Sequence, residues 1–181
     1  MLDNFNRPGP ALGPSWVGSG LTIVGNQLKG GPDEYMYWQQ SFGTDQWARI
    51  KVVQVPGCGY LDVLLKATGG NYANGLVDVS YNPCASPKMT IYAFNPTINN
   101  WAPFASSNTT LTTGDVFTVR AQPNRLVTVY KNGIAVMSGT LQPANAGFDV
   151  GRAGQIGLAI SGINIIVDDF DGGDFTSSTV P

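Results

Sequence analysis

No stretch of this chain repeats apolar residues at three-to-four spacing, because Gly or Pro interrupts it every few residues: 23 Gly and 12 Pro in 181 positions. A helix needs that spacing to bury one face, so helix is excluded as the organising element. What repeats instead is the period-two alternation of strands. Alternating runs lie at Trp47–Val55, Tyr60–Ala67, Leu76–Tyr81, Met89–Phe94, Val116–Ala121, Leu126–Lys131, Ile134–Met137, Ile156–Ile160 and Ile163–Val167, separated by Gly, Pro and Asn turns. Short strands at this spacing predict an all-β sandwich or barrel.

Three connections read as hairpins. Asn132-Gly133 between two β-rich runs supplies the two positive φ angles of a type I′ turn. Gln122-Pro123-Asn124-Arg125 joins Val116–Ala121 to Leu126–Lys131, and Ser161-Gly162 joins the last two runs.

The segment between the only two cysteines fixes a register. If Tyr60–Ala67 and Gly75–Asn82 fold back about Asn71, Leu61 faces Tyr81, Val63 faces Val79 and Leu65 faces Val77, one wholly apolar face. The other face pairs Tyr60 with Asn82, Asp62 with Ser80, Leu64 with Asp78 and Lys66 with Leu76. A slip of one residue would drive Asp78 into the core. The same register sets Cys58 opposite Cys84 and predicts a disulfide closing the hairpin; the alternative is two unrelated reduced cysteines.

Alternation extends to the neighbouring runs. Ala48, Ile50 and Val52 look inward, so Trp47, Arg49 and Lys51 look outward; Met89, Ile91 and Ala93 look inward, so Thr90, Tyr92 and Phe94 look outward. If these strands form one antiparallel meander, its outer face collects Trp47, Arg49, Lys51, Tyr60, Asp62, Lys66, Asp78, Asn82 and Tyr92. Tyr35, Tyr37, Trp38 and Trp101 extend either surface as loop or strand-edge aromatics. The opposite runs offer Thr, Val and Ser at their non-core positions, with Tyr130 the main exposed aromatic, so the partner contact is expected on the Trp47–Tyr92 face.

Composition removes most chemistry. Charged residues make up 12 % of the chain, and ten Lys plus Arg stand against twelve Asp plus Glu, a formal charge of -2. No basic patch exists to release counterions from a phosphate backbone, which argues against nucleic acid. There is no His, hence no Ser-His or Cys-His nucleophile pair and no His-bound metal. Glu34 is the single Glu beside eleven Asp, so any acid/base pair is Asp with Asp or Asp with Glu34. No run of about 18 apolar residues is present to span a membrane. The opening MLDNFNRPGP lacks the order of a signal peptide, so if Met1 is the native start no Sec export of the protein on its own is expected; if the chain was cut from a longer one, the polar tail reads as a linker stub.

The whole chain resembles the concanavalin A-like lectin/glucanase superfamily, specifically its laminin G-like jelly-roll modules. The carriers are Asp3-Asn4-Phe5-Asn6-Arg7 with Leu12-Gly13 and Trp16; Gln46-Trp47-Ala48; Val63-Leu64-Leu65-Lys66-Ala67; Thr113-Gly114-Asp115; Val129-Tyr130-Lys131-Asn132-Gly133; and Gly157-Leu158 with Val167-Asp168-Asp169-Phe170. The resemblance implies a two-sheet antiparallel β-sandwich of jelly-roll type whose first and last strands lie side by side, bringing Asp3 near Asp168 and Asp169. The superfamily's glycosidases use two Glu on one strand and its alginate lyases a His and a Tyr, neither of which this chain supplies.

One β-sandwich over residues 1–175 with a polar tail at 176–181 is therefore expected, acting as a non-enzymatic carbohydrate-binding or adhesion module outside the cell, on a cell or virion surface. An aromatic platform with short polar groups suits the apolar face and polar edge of a sugar ring. The expected ligand residues are Trp47, Arg49, Tyr60, Asp62, Asp78, Asn82 and Tyr92. The alternatives are a structural virion or assembly subunit whose aromatics pack against a homo-oligomeric partner, and a polysaccharide-degrading enzyme. No cofactor is required. Calcium is the one metal its oxygen donors suit, at Asp3 and Asp168, although the 168–174 run lacks the full pattern of a calcium loop and reads equally as a solvated acidic turn. Asn108-Thr109-Thr110 matches a glycosylation sequon of the kind that arises by chance in an Asn/Thr-rich chain.

Overall fold

The computed structural model describes residues 1–31, 34–55, 57–162 and 164–176. Residues 177–181 of the expected tail, and Ile163 at the head of the last expected strand, lie outside the described residues.

Fourteen strands are formed among the described residues: β1 (Trp16–Gly18), β2 (Thr22–Val24), β3 (Gln27–Lys29), β4 (Glu34–Phe42), β5 (Gln46–Gln54), β6 (Tyr60–Ala67), β7 (Leu76–Tyr81), β8 (Met89–Asn95), β9 (Asn100–Ser107), β10 (Val116–Ala121), β11 (Leu126–Lys131), β12 (Ile134–Thr140), β13 (Gly154–Ser161) and β14 (Ile166–Asp174). They build two antiparallel sheets of seven. Sheet A runs β1-β4-β13-β6-β7-β8-β9, and sheet B runs β12-β11-β10-β5-β14-β3-β2. The expected sandwich is formed. Among the described residues helix is confined to a single turn at Pro143–Ala146 and a 3-10 turn at Tyr72–Asn74.

The core lies between the sheets and follows the alternation. Ala48, Ile50 and Val52 from sheet B meet Leu61, Val63, Leu65, Val77, Val79 and Ile91 from sheet A, all fully buried. At ~25 cal/mol per Å² of apolar surface, this face dominates what favours folding. β6 and β7 pair in the expected register: Leu61 with Tyr81, Asp62 with Ser80, Val63 with Val79, Leu64 with Asp78 and Leu65 with Val77. The Cys58–Cys84 disulfide is formed beyond the end of that pairing. The type I′ turn is present as well, with φ of 53° at Asn132 and 77° at Gly133.

Three expectations need correction. β5 does not continue into the β6-β7-β8 meander but crosses to sheet B, between β10 and β14. Alternation within a strand gives which residues face the core, but it carries no information on which sheet the strand joins. β13 and β14 likewise belong to opposite sheets, so Ser161-Gly162 opens a crossover instead of a hairpin. Lys66 leaves the outer face: its φ is 61°, and the β6–β13 register shifts beside it as in a β-bulge. Its buried side chain instead donates from Nζ to the Thr44 carbonyl at 2.6 Å.

The chain start and the last strand do meet. The Leu2 and Asp3 amides donate to the Phe170 carbonyl at 3.1 and 3.0 Å. Gly157 is what lets β4 and β13 close up where their register shifts, since a Cβ there would stand 2.2 Å from the Met36 carbonyl oxygen.

Candidate functional site

The outward face of sheet A carries a hollow of about 340 Å³ lined by Tyr35, Tyr60, Asp62, Asp78, Ser80, Tyr92 and Trp101. Its floor comes from adjacent strands. The ladder sets Asp78 on β7 opposite Tyr92 on β8 and Asp62 on β6 opposite Ser80, so the two carboxylates lie on a diagonal between neighbouring strands. Both are buried. Toward one end the floor becomes apolar, where Leu64, Leu76 and Ala159 pack with Tyr37 in a cluster separate from the main core, joined by Tyr35 and Trp101.

One wall is aromatic. Trp101 on β9 meets Phe94 edge-on at 5.0 Å between ring centroids, Tyr92 at 6.2 Å and Tyr72 at 6.4 Å; Tyr72, on the 3-10 turn joining β6 to β7, lies 5.2 Å from Tyr35. Asn71 holds that turn by accepting the Ala73 amide at 2.9 Å. Tyr60, 49 % exposed, stands on the far side and borders a second, smaller hollow with Asn82, Lys88 and Thr90.

The electrostatics of the floor are unusual for so apolar a setting. Burial, reinforced by the nearby Asp62 charge, pushes the Asp78 carboxyl well above the ordinary carboxylate range. Its Oδ1 has no hydrogen-bond partner among the described residues. Burial also pushes the Tyr37 hydroxyl up, and the charges of Asp78 and Tyr72 add to that shift. Burial and the neighbouring Asp62 charge thus both favour the protonated form of the Asp78 carboxyl.

Of the residues expected on one face, the structure brings together Tyr60, Asp62, Asp78 and Tyr92, with Asn82 beside them, and separates Trp47 and Arg49. Those two lie on sheet B. Arg49 stacks 5.3 Å over the Trp47 ring and pairs with Asp171 on β14 at 2.9 Å, while Lys51 pairs with Asp169 at 3.6 Å. The 168–174 run is accordingly strand, not a solvated turn: Asp169 and Asp171 are met by Lys51 and Arg49, and the Asp174 Oδ1 accepts the Gly43 amide.

Asp3 is turned to a different task. Its Oδ1 accepts the Phe5 amide at 2.8 Å and Arg7 at 2.7 Å, and its Oδ2 accepts Arg7 and Trp16 Nε1, each at 2.8 Å. Burial raises its carboxyl, but these donors outweigh burial and hold it below the usual range. Among the described residues no three His, Cys, Asp or Glu side chains converge as metal ligands.

Tyr72 and the turn that carries it were not expected at the site, and Phe94, expected to look outward beside Tyr92, was not among the expected ligand residues. Tyr72 falls in the turn rather than a strand, so alternation gives it no face. Its place could be read only from the length of the β6–β7 connection.

No family model and no curated protein matches the chain. Solved structures do. The carbohydrate-binding module CBM66 of Bacillus subtilis superposes with a TM-score of 0.59 at 12 % identity, covering 88 % of this chain and 92 % of that one. The potassium-bound carbohydrate recognition domain of Emp46p gives 0.63 at 11 % identity over 90 % and 89 %. A β-1,3-glucanase from Mycobacterium marinum gives 0.61 at 14 % identity over 93 % and 95 %. At such identities the likeness is one of architecture. The chain has the concanavalin A-like lectin and glucanase fold.

Proposed function

We propose that this protein is a non-enzymatic carbohydrate-binding or adhesion module, displayed outside the cell, that grips its glycan in the hollow on the outer face of sheet A. The observation that carries this reading is the composition of that hollow. Aromatic rings of Tyr35, Tyr60, Tyr92 and Trp101 surround buried carboxylates, the pairing that a sugar's apolar C–H face and hydroxyl edge require. Tyr60, Asp62, Asp78 and Tyr92 are the binding residues, joined by Trp101 and Tyr35, with Asn82 extending the site along the sheet. Trp47 and Arg49 pack with each other on sheet B and are not assigned to the hollow. The fold shared with a carbohydrate-binding module and a carbohydrate recognition domain supports the same reading. The chain's lack of His and its single Glu favour binding over cleavage.

A glycan array followed by calorimetry on the strongest hit tests the reading. Alanine at Tyr60, Tyr92 or Trp101 is expected to weaken binding by about tenfold or more each, and alanine at Trp47 to leave it unchanged. Binding lost with Trp47→Ala and retained in the three others would place the site on sheet B. Glycan hydrolysis abolished by Asp78→Asn would replace the binding reading with an enzymatic one.

A further inference from the structure

The hollow combines features that a neutral sugar does not fully use. Two buried carboxylates stand among aromatic rings, and no Lys or Arg is among its described lining residues. Lys88, beside the neighbouring smaller hollow, gives its ammonium to the Thr110 hydroxyl at 3.3 Å. The ionisable groups facing Asp78 from the elements around it are Asp62 on β6, Tyr37 on β4 and Tyr92 on β8, none of them cationic. Aromatic faces and carboxylates attract the same kind of guest: a cation stabilised by ring quadrupoles on its flanks and by negative charge beneath.

We infer that the Asp62–Asp78 pair and the rings of Tyr92 and Trp101 form a subsite for a cationic amine, so that the glycan bound is one built of amino sugars carrying a free, protonated amine. This inference rests on the glycan reading. The ammonium takes a position over the Asp78–Asp62 diagonal and donates to both carboxylates, including the Asp78 Oδ1 that lacks a partner among the described residues. A fixed positive charge beside the pair favours its ionised form, drawing the Asp78 carboxyl back down, so binding shifts its proton toward solvent. An N-acetylated sugar brings no charge and leaves the ionisation of the pair as it was.

The test is titration calorimetry of glucosamine oligomers, N-acetylglucosamine oligomers and glucose oligomers of equal length, in mildly acidic buffers of differing ionisation enthalpy. The glucosamine oligomer is expected to bind about tenfold or more tighter than its N-acetylated counterpart, with net proton release. Asp78→Asn and Asp62→Asn should each abolish both the preference and the proton release, and circular dichroism verifies that each variant is folded. Neutral oligomers binding as tightly as glucosamine oligomers would overturn the inference and leave the glycan reading standing. So would array glycans binding while glucosamine oligomers do not. Glucosamine binding unchanged in Asp78→Asn and Asp62→Asn would overturn it by placing the amine elsewhere. Failure of every array glycan and every oligomer would remove the glycan reading itself, and this inference with it.

Discussion

Gln46 on β5 and Lys66 on β6 are hydrogen-bonded across the two sheets, the Gln46 Oε1 accepting the Lys66 backbone amide at 2.9 Å. The Gln46 Nε2 donates in turn to the carbonyls of Gly43 and Gly154, at 2.9 and 3.2 Å. One fully buried amide thus serves the Lys66 amide beside the bulge in β6 together with carbonyls of the β4–β5 turn and of β13. Gln46→Leu keeps the volume but leaves those groups dry and unpaired. It is expected to cost about 3 kcal/mol in urea unfolding, more than a surface substitution by far.

Lys66 itself should lower stability near neutrality. Burial draws its ammonium down from 10.5 to about 8, against the pull of Asp45, Asp149 and Asp174. Between those two values the unfolded chain binds more protons than the folded one, so stability rises as pH rises through the window, and the penalty is fully present below it. Lys66→Met retains the buried stem and the same backbone conformation. Urea midpoints should show the variant more stable by about 2–3 kcal/mol at neutral pH, with the gap closing in strongly alkaline buffer. A gap independent of pH would mean that the charge is not its cause.

The carboxyl of Asp78 works in the opposite direction. Its folded-state value lies above the unfolded one, so the folded chain holds a proton that the unfolded chain has already lost. Stability linked to this group is complete in acid and declines as pH rises through the folded-state value. Asp78→Asn should therefore raise the urea midpoint in mildly alkaline buffer and change it little in acid. A midpoint lowered at every pH would show that the carboxyl stabilises the fold.

The Cys58–Cys84 bridge closes a loop with a sequence separation of 26. Removing that constraint from the unfolded chain corresponds to about 3–4 kcal/mol on the chain-entropy estimate. Cys58→Ala with Cys84→Ala should lose that much in urea unfolding. Thiol titration of the unfolded, unreduced wild type should find no free thiol.

The strands with an apolar inner face and a polar outer one were legible from their alternation, and the β6–β7 register with its disulfide followed from Leu61, Val63 and Leu65. β4 was not legible, because it buries Met36 in the core and Tyr37 on the opposite face, which erases the alternation. β9 escaped because it is an edge strand containing Pro103, and such strands tolerate irregular patterns. The same limit shaped the site. Asp62, Asp78 and Tyr92 lie on consecutive hairpin strands whose order local sequence dictates, so they were found together. Trp47 was wrongly grouped with them because the step from β5 to β6 changes sheets, and that choice is made by packing between distant residues. Trp101 was recognised only as an edge aromatic, since its partner Tyr72 comes from a turn.

The floor of the hollow is drawn from β6, β7 and β8, three strands hydrogen-bonded in unbroken succession and covalently closed at the Cys58–Cys84 end. A floor tied together in this way would surrender little conformational freedom if the proposed glycan associates with it. Capture should proceed as a single kinetic step, with an observed rate that grows in proportion to ligand concentration and shows no plateau from a preceding rearrangement. Discrimination between ligands would then appear mainly in how long each one stays.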